Sequence, residues 1–152
     1  MKREEIMAWS VDWEGSFILG RYHWKESVPY SYTVMIVIAN TRKDLLEKFM
    51  NLVGYGTITI MRKEGAYHNS KQCYRWQIAS CKHIKEFCKD VLPFLVAKRQ
   101  QASLLLEFVN GRLNTPGRVK FNRYDTSDSK IRRTEREAEI YQEMKLLNKR
   151  GI

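Results

Sequence analysis

The sequence predicts an α+β domain in which helices cover one face of an antiparallel sheet. Segments with helical and strand periodicity alternate in the order helix, two strands, helix, two strands, helices. Short polar segments join the strands within each pair, which favours antiparallel pairing. The 152 residues are 43% hydrophobic and 12% aromatic, enough for one domain with its own core. We expect a core of about residues 4–112 and a C-terminal helical extension of about residues 113–152.

The first half of the chain contains the clearest periodic segments. Residues 4–13 are predicted to form a short helix that is apolar on most of its circumference, ended by Gly15. Such a helix must be covered on several sides, so one side is expected to face the domain and another a partner. Two predicted strands and an amphipathic helix follow at residues 17–25, 32–39 and 42–53. The second strand is predicted to place on one face Tyr32, Val34, Ile36 and Ile38, and the helix to carry an apolar stripe of Leu45, Leu46, Phe49, Met50 and Val53.

The second half repeats the pair of strands and adds helices. The third strand is predicted at residues 57–62, and the fourth, with clean alternation, at residues 72–80. A helix is predicted at residues 83–92 and another at 102–110, stopped by Gly111. Residues 130–149 are predicted to form a charged helix with sparse apolar positions.

Composition narrows the classes of function. The chain has 27 Lys and Arg against 17 Asp and Glu, a net charge of +10, which suggests a polyanionic partner. No apolar run approaches the ~20 residues that span a bilayer, and no signal peptide is visible, so we expect no membrane and an intracellular, soluble protein. The compartment is expected to be cytoplasmic in a prokaryote and organellar if an organelle genome encodes the chain. The three cysteines match no zinc pattern.

A sheet covered by helices on one side leaves its other face open. In this sequence that face carries hydrogen-bonding side chains with basic residues at its edges, and antiparallel strands can lie in the major groove of DNA. An ordinary solvated sheet face is the alternative. The pattern of residues 21–25 leaves the facing of the first strand open. The candidate DNA-binding residues are Ser31, Thr33, Thr59, Arg62, Lys63, Asn69, Lys71, Arg75 and Gln77.

The first predicted helix ends with two acidic residues, Asp12 and Glu14. A carboxylate at a helix C-terminus is disfavoured by roughly 0.3–1 kcal/mol unless a cation compensates it. Mg²⁺ would compensate it, because this ion prefers oxygen ligands; alternatively, one of the two caps backbone amides or pairs with a basic residue. A two-fold dimer through this helix would bring two Glu14 side chains together and suit a near-palindromic DNA site.

These residues resemble the LAGLIDADG homing endonucleases. Residues 7–15 (MAWSVDWEG) are similar to the motif that names the family, and residues 38–41 and 45–56 to its strand-to-helix junction and glycine turn. Residues 74–78 resemble its fourth strand, and residues 92–102 the segment that carries its central lysine. The resemblance covers about residues 5–112, and residues 136–148 are similar to a C-terminal helix of some members.

The resemblance implies an αββαββα fold whose saddle-shaped antiparallel sheet straddles double-stranded DNA. A chain with one motif would act as a homodimer through the motif helix, residues 4–14. Glu14 and the backbone carbonyl of Trp13 would bind metal, Mg²⁺ with Mn²⁺ as a substitute. Lys98 would stabilise charge or tune the attacking water, and Asn40 would hold ordered water. Cleavage would be staggered across the minor groove.

Four positions depart from the usual motif. Trp9 and Trp13 stand where the family has glycine and a small residue, Ser10 replaces an apolar residue, and Glu14 replaces the more familiar Asp. The sequence still favours a site-specific DNA endonuclease of the homing, intron-encoded type, with an intein or a free-standing gene as the other origins left open. Its rivals are a non-cleaving DNA-binding protein and an intron RNA maturase. In the last helix, phosphate contacts or a merely solvated face are expected for Arg132, Arg133 and Arg136.

Overall fold

The computed structural model describes residues 1–22, 31–63, 65, 70–114 and 128–149, with the backbone alone at 128–134. A 3₁₀ turn at Leu92–Phe94 lies between the third and fourth helices. The predicted order of elements is confirmed over these residues. The elements are α1 (Arg3–Glu14), β1 (Gly15–Tyr22), β2 (Ser31–Asn40), α2 (Lys43–Val53), β3 (Thr57–Arg62), β4 (Cys73–Ile78), α3 (Cys81–Val91), α4 (Arg99–Leu113) and α5 (Asp128–Lys149).

The four strands form one antiparallel sheet in the order β1-β2-β4-β3. β1 pairs with β2 along its whole length, from Gly15 opposite Ile38 to Tyr22 opposite Ser31. β4 lies between β2 and β3 and pairs with both. The predicted α+β class is therefore confirmed, with the helices packed on one side of the sheet.

The core lies between the sheet and the helices, and Trp76 of β4 is at its centre. This side chain is fully buried, its ring packs edge-on against Phe49, and its Nε1 donates to the Tyr55 carbonyl at 3.1 Å. Gly56, at φ +110°, lies directly against the indole, where a Cβ would clash. The inward residues of β2 are buried as the period-two alternation predicted; they are Val34, Ile36 and Ile38. Phe17 and Leu19 of β1 are buried on the same face.

The predicted bounds of α3 and α4 differ from those observed. α4 begins at Arg99 and continues through Gly111 to Leu113, instead of stopping at Gly111. The cost of a helical glycine, ~1 kcal/mol, is offset by the burial of Phe108 and Val109 one turn earlier. α3 begins at Cys81, earlier than predicted, because the Ser80 hydroxyl caps it by accepting from the His83 amide.

The facing of β1, which the sequence left open, is fixed by its register. Arg21 shares the inward face with Phe17 and Leu19, and its guanidinium lies 4.4 Å from the centre of the Tyr141 ring of α5. Tyr22 is on the opposite face and exposed. β1 ends at Tyr22, and residues 23–25 of the predicted strand lie outside the described residues.

α5 packs against α4 and β1 through Ile140 and Met144, which are buried. The phosphate contact expected of Arg136 is not supported, since Glu107 holds its guanidinium with bonds of 2.7 and 2.9 Å and Glu139 adds one of 3.0 Å. These bonds raise the Arg136 pKa, and the side chain is already occupied. The side chains of Arg132 and Arg133 lie outside the described part. No helix in the described ranges is long and apolar enough to cross a membrane.

Candidate active site

The carboxylate of Asp12 accepts hydrogen bonds from the backbone of residues 96–98. Its Oδ2 accepts from the amides of Val96 at 2.7 Å and Ala97 at 3.4 Å, and its Oδ1 accepts from the amide of Lys98 at 3.0 Å. These three N–H groups lead into α4, so the carboxylate acts as an N-terminal cap supplied from another helix. Of the alternatives left open for the acidic pair, capping is the one that holds for Asp12.

Lys98 compensates the negative end of α1. Its Nζ donates to the Val11 carbonyl at 2.9 Å and to the Gly15 carbonyl at 2.5 Å. A cation at a helix C-terminus is stabilised by the partial charge of the last carbonyls. Burial lowers the pKa of Lys98, and the negative charges of Asp12 and Glu14 oppose that shift.

Glu14 is the last residue of α1, and its side chain is exposed. Within the described part of the chain it makes no hydrogen bond or ion pair, in contrast to Asp12 two residues earlier. β1 begins at the next residue, Gly15. A larger residue would not fit there, because a Cβ would lie 2.8 Å from the Val11 backbone. The structure therefore brings Glu14 and Lys98 to the same helix end and leaves the carboxylate available.

Asn40 lines the same cavity as Glu14. It closes β2, and its Oδ1 accepts from the Arg42 amide at 2.8 Å, which orders the entry into α2. Asn40 and Glu14 both line a cavity of about 450 Å³ between α1 and α2, together with Ser10. We call this cavity the α1–α2 groove. The predicted pair of Glu14 and Asn40 is thus brought together by the fold.

Sequence reasoning missed the surroundings of Lys98. The lysine lines a second cavity, of about 300 Å³, together with Gln101, Ser16 and Asn148. Asn148 at the end of α5 donates to the Phe17 carbonyl at 3.4 Å. The spacing of Gln101, one helical turn after Lys98, could have indicated a shared face, but nothing local in the sequence indicates that α5 reaches this cavity.

The open sheet face carries most of the predicted DNA-binding residues. Arg75 lies opposite Thr59 in the register and donates to its hydroxyl at 3.3 Å, and a bulge after Ile60 pairs Arg62 with Cys73, on the Arg75 face. Arg62 also donates to the Lys71 carbonyl at 3.4 Å. Asn69 lies outside the described residues. On the same face or at its β3–β4 end lie Ser31, Thr33, Lys63, Lys71 and Gln77.

Comparisons with known proteins identify the fold. No protein-family model and no curated protein match the sequence. Among solved structures, the homing endonuclease I-CvuI in complex with the I-CreI target is similar with a TM-score of 0.71 and 18% identity, over 95% of this chain and 81% of that chain. The archaeal intron-encoded homing endonuclease I-Vdi141I, complexed with DNA, is similar at 0.65 and 17%, over 93% of this chain and 83% of that one.

A third structure is longer. The LAGLIDADG homing endonuclease I-GzeII, in complex with a DNA target, is similar with a TM-score of 0.67 and 17% identity. The match covers 91% of this chain but 43% of that one. The resemblance predicted from the motif residues is confirmed at the level of the fold.

Proposed function

We propose that this chain, which has the fold of the LAGLIDADG homing endonucleases, is a site-specific double-strand DNA endonuclease acting as a homodimer on a near-palindromic site. The observation that carries the proposal is the end of α1, where Glu14, whose side chain has no hydrogen bond or ion pair to any residue that the structure describes, stands beside a lysine held by the same helix. The helix dipole disfavours a carboxylate at this position and Lys98 offsets that cost, so the placement of Glu14 fits a functional role.

The open sheet face supports DNA as the substrate. Arg75 and Gln77 are residue types that read base edges in the major groove, and Arg62, Lys63 and Lys71 at one end can bind phosphates. A net charge of +10 fits a polyanionic partner. I-CvuI, I-Vdi141I and I-GzeII were each solved in complex with DNA. Binding should weaken steeply with salt, because neutralised phosphates release counterions.

The residues present fit a divalent cation only when two copies meet. Glu14 offers a hard oxygen ligand, and the carbonyl of Trp13 lies in the last helical turn, where carbonyls lack intrahelical donors. The described residues contain no group of three or more His, Cys, Asp or Glu that could hold a metal. Mg²⁺, with Mn²⁺ as a substitute, binds through one or two carboxylates completed by water and phosphate, which one Glu14 from each copy would provide.

The chain's own residues then have distinct roles. A bound cation would polarise the scissile phosphate and activate water for its hydrolysis. Lys98 places a positive charge beside the cleaved phosphate, and Asp12 fixes the backbone from which that lysine projects. Asn40 orients water in the cavity that it lines with Glu14.

The proposed homodimer rests on the exposed side of α1. Met7, Ala8 and Val11 are buried in the domain, while Trp9 and Trp13 are exposed on the other side of the helix. A two-fold axis beside this face would set the two acidic ends next to each other. The match covers 43% of the I-GzeII chain, so that chain is long enough to contain a second unit of this size.

The test is cleavage and binding by Glu14→Gln. With a duplex that joins the flanks interrupted by the reading frame, the variant should bind like wild type and lose cleavage in Mg²⁺. Glu86→Gln, an exposed acid on α3, should cleave normally and serves as the control. Unchanged cleavage by Glu14→Gln, or equal loss of cleavage and binding, would contradict the assigned role. Preferential binding of the intron RNA would favour the maturase instead.

A further inference from the structure

The exposed side of α1 has two indoles where it faces the proposed partner. Ile6, Trp9 and Trp13 are 37%, 57% and 80% exposed. At about 100° per residue they fall on one stripe of the helix. A contiguous apolar surface of this kind marks an interaction site.

The α1–α2 groove runs beside this stripe. Its walls are mainly apolar and include Leu45, Phe49 and Leu52 of α2, with Ser10 of α1 on the near side. Its volume of about 450 Å³ is within the ~300–1,000 Å³ range of sites that enclose small organic groups. One indole therefore fits within it.

Trp9 and the groove lie on opposite flanks of the face that α1 would present to a partner. Measured from Trp13 near the stripe's centre, Trp9 lies about 40° to one side and Ser10, at the groove, about 60° to the other. Two helices whose acidic ends meet at one site run in the same direction. When a two-fold axis runs along two parallel helices, one flank of each helix faces the opposite flank of its partner. The g and e positions of a parallel coiled coil meet in this way.

We infer that Trp9 of each copy inserts into the α1–α2 groove of the other. This inference rests on the proposed function and names a second copy of this chain as the occupant. The partner's indole then closes the cavity that Glu14 and Asn40 line, so the site is incomplete in one chain. Trp13, nearest the stripe's centre, meets its symmetry mate. Four indoles supply roughly 600–1,000 Å² towards the ~1,200–2,000 Å² of a standard interface.

The experiment uses two variants that break opposite sides of the contact. Trp9→Ala removes the inserted side chain, and Leu45→Lys puts a charge into the groove from an exposed position on α2. Sedimentation should show each variant self-associating at least about 100-fold more weakly than wild type, because buried interface tryptophans are dominant contacts and each dimer has two. Mixing the variants should restore a dimer, since Trp9 of the Leu45→Lys copy then meets an intact groove.

Matched controls separate this contact from general loss of stability. Asn51→Lys, which adds a charge to α2 outside the groove, and Leu146→Ala, which removes an exposed apolar side chain of α5, should remain dimeric. Circular dichroism establishes that each variant is folded. A Trp9→Ala dimer as tight as wild type, or a mixture that stays monomeric, overturns the inference and leaves the proposed function intact. Wild-type chain that stays monomeric on its duplex overturns both.

Discussion

Two sides of the same helix end are built in opposite ways. On the side facing α4, Asp12 accepts from three amides and Lys98 donates to two carbonyls, so each charged group has protein partners. On the side facing away, Glu14 has no such bond within the described residues, and Trp9 and Trp13 are exposed. The difference suggests that the first side fixes geometry, whereas the second is kept for a cation, a nucleic acid and a second copy.

Among the substitutions considered next, Lys98→Met is expected to have the largest effect, a loss of cleavage rate. It removes the positive charge that lies between the two sides of the helix end. Loss of a preorganised charge at a reacting group typically costs ~10²–10³ in rate. Single-turnover cleavage should fall by about that factor, whereas DNA affinity should change little. Lys89→Met, an exposed lysine of α3, is the control. An equal loss of affinity and rate would assign Lys98 to DNA binding.

The next prediction compares how substitution of Asp12 and substitution of Glu14 change the free energy of unfolding. Asp12→Ala should lower the free energy of unfolding by about 2 kcal/mol, the upper range for a lost helix cap. Glu14→Gln should change it by less than about 0.5 kcal/mol, because the helix end disfavours this charge while the nearby Lys98 attracts it. Urea unfolding measures both. Larger destabilisation by Glu14→Gln would show that this side chain has a structural partner.

The smallest effects distinguish residues of the sheet face that recognise base pairs from residues that bind phosphates. Arg75→Ala should lower affinity for the cognate duplex by about 1–3 kcal/mol and relax preference at one base pair. Lys71→Ala should weaken binding to all duplexes alike and reduce the salt slope by about 1. Titrations against cognate and scrambled duplexes at several salt concentrations distinguish the two. Identical behaviour of both variants would contradict base readout by Arg75.

Local patterns predicted the fold because they repeat within a few residues. Alternation in β2 identified Val34, Ile36 and Ile38 as buried. Of the apolar stripe predicted for α2, Leu46, Phe49 and Val53 are buried, Met50 is half-buried and Leu45 is exposed. The length of α4 was misjudged because the packing of its earlier turn outweighs the glycine.

The arrangement around the site was less accessible to sequence reasoning. The bonds between Asp12 and the segment before α4 join residues more than 80 positions apart, and no periodicity connects them. The place of Arg62 depends on a bulge, and the occupation of Arg136 depends on where α5 packs. Only the resemblance to a motif brought Glu14, Lys98 and Asn40 together before the fold was known.

The most direct test of the shared site is strand cleavage, with nicks and double-strand breaks both counted, by wild-type chain mixed with Glu14→Gln and allowed to exchange subunits. If each cleavage event needs the carboxylates of both copies, only dimers of two wild-type chains cut. An equal mixture should then retain about a quarter of the activity of wild type at the same total concentration. Retention of about half, falling in proportion to the wild-type fraction, would mean that each chain acts alone and would contradict the account.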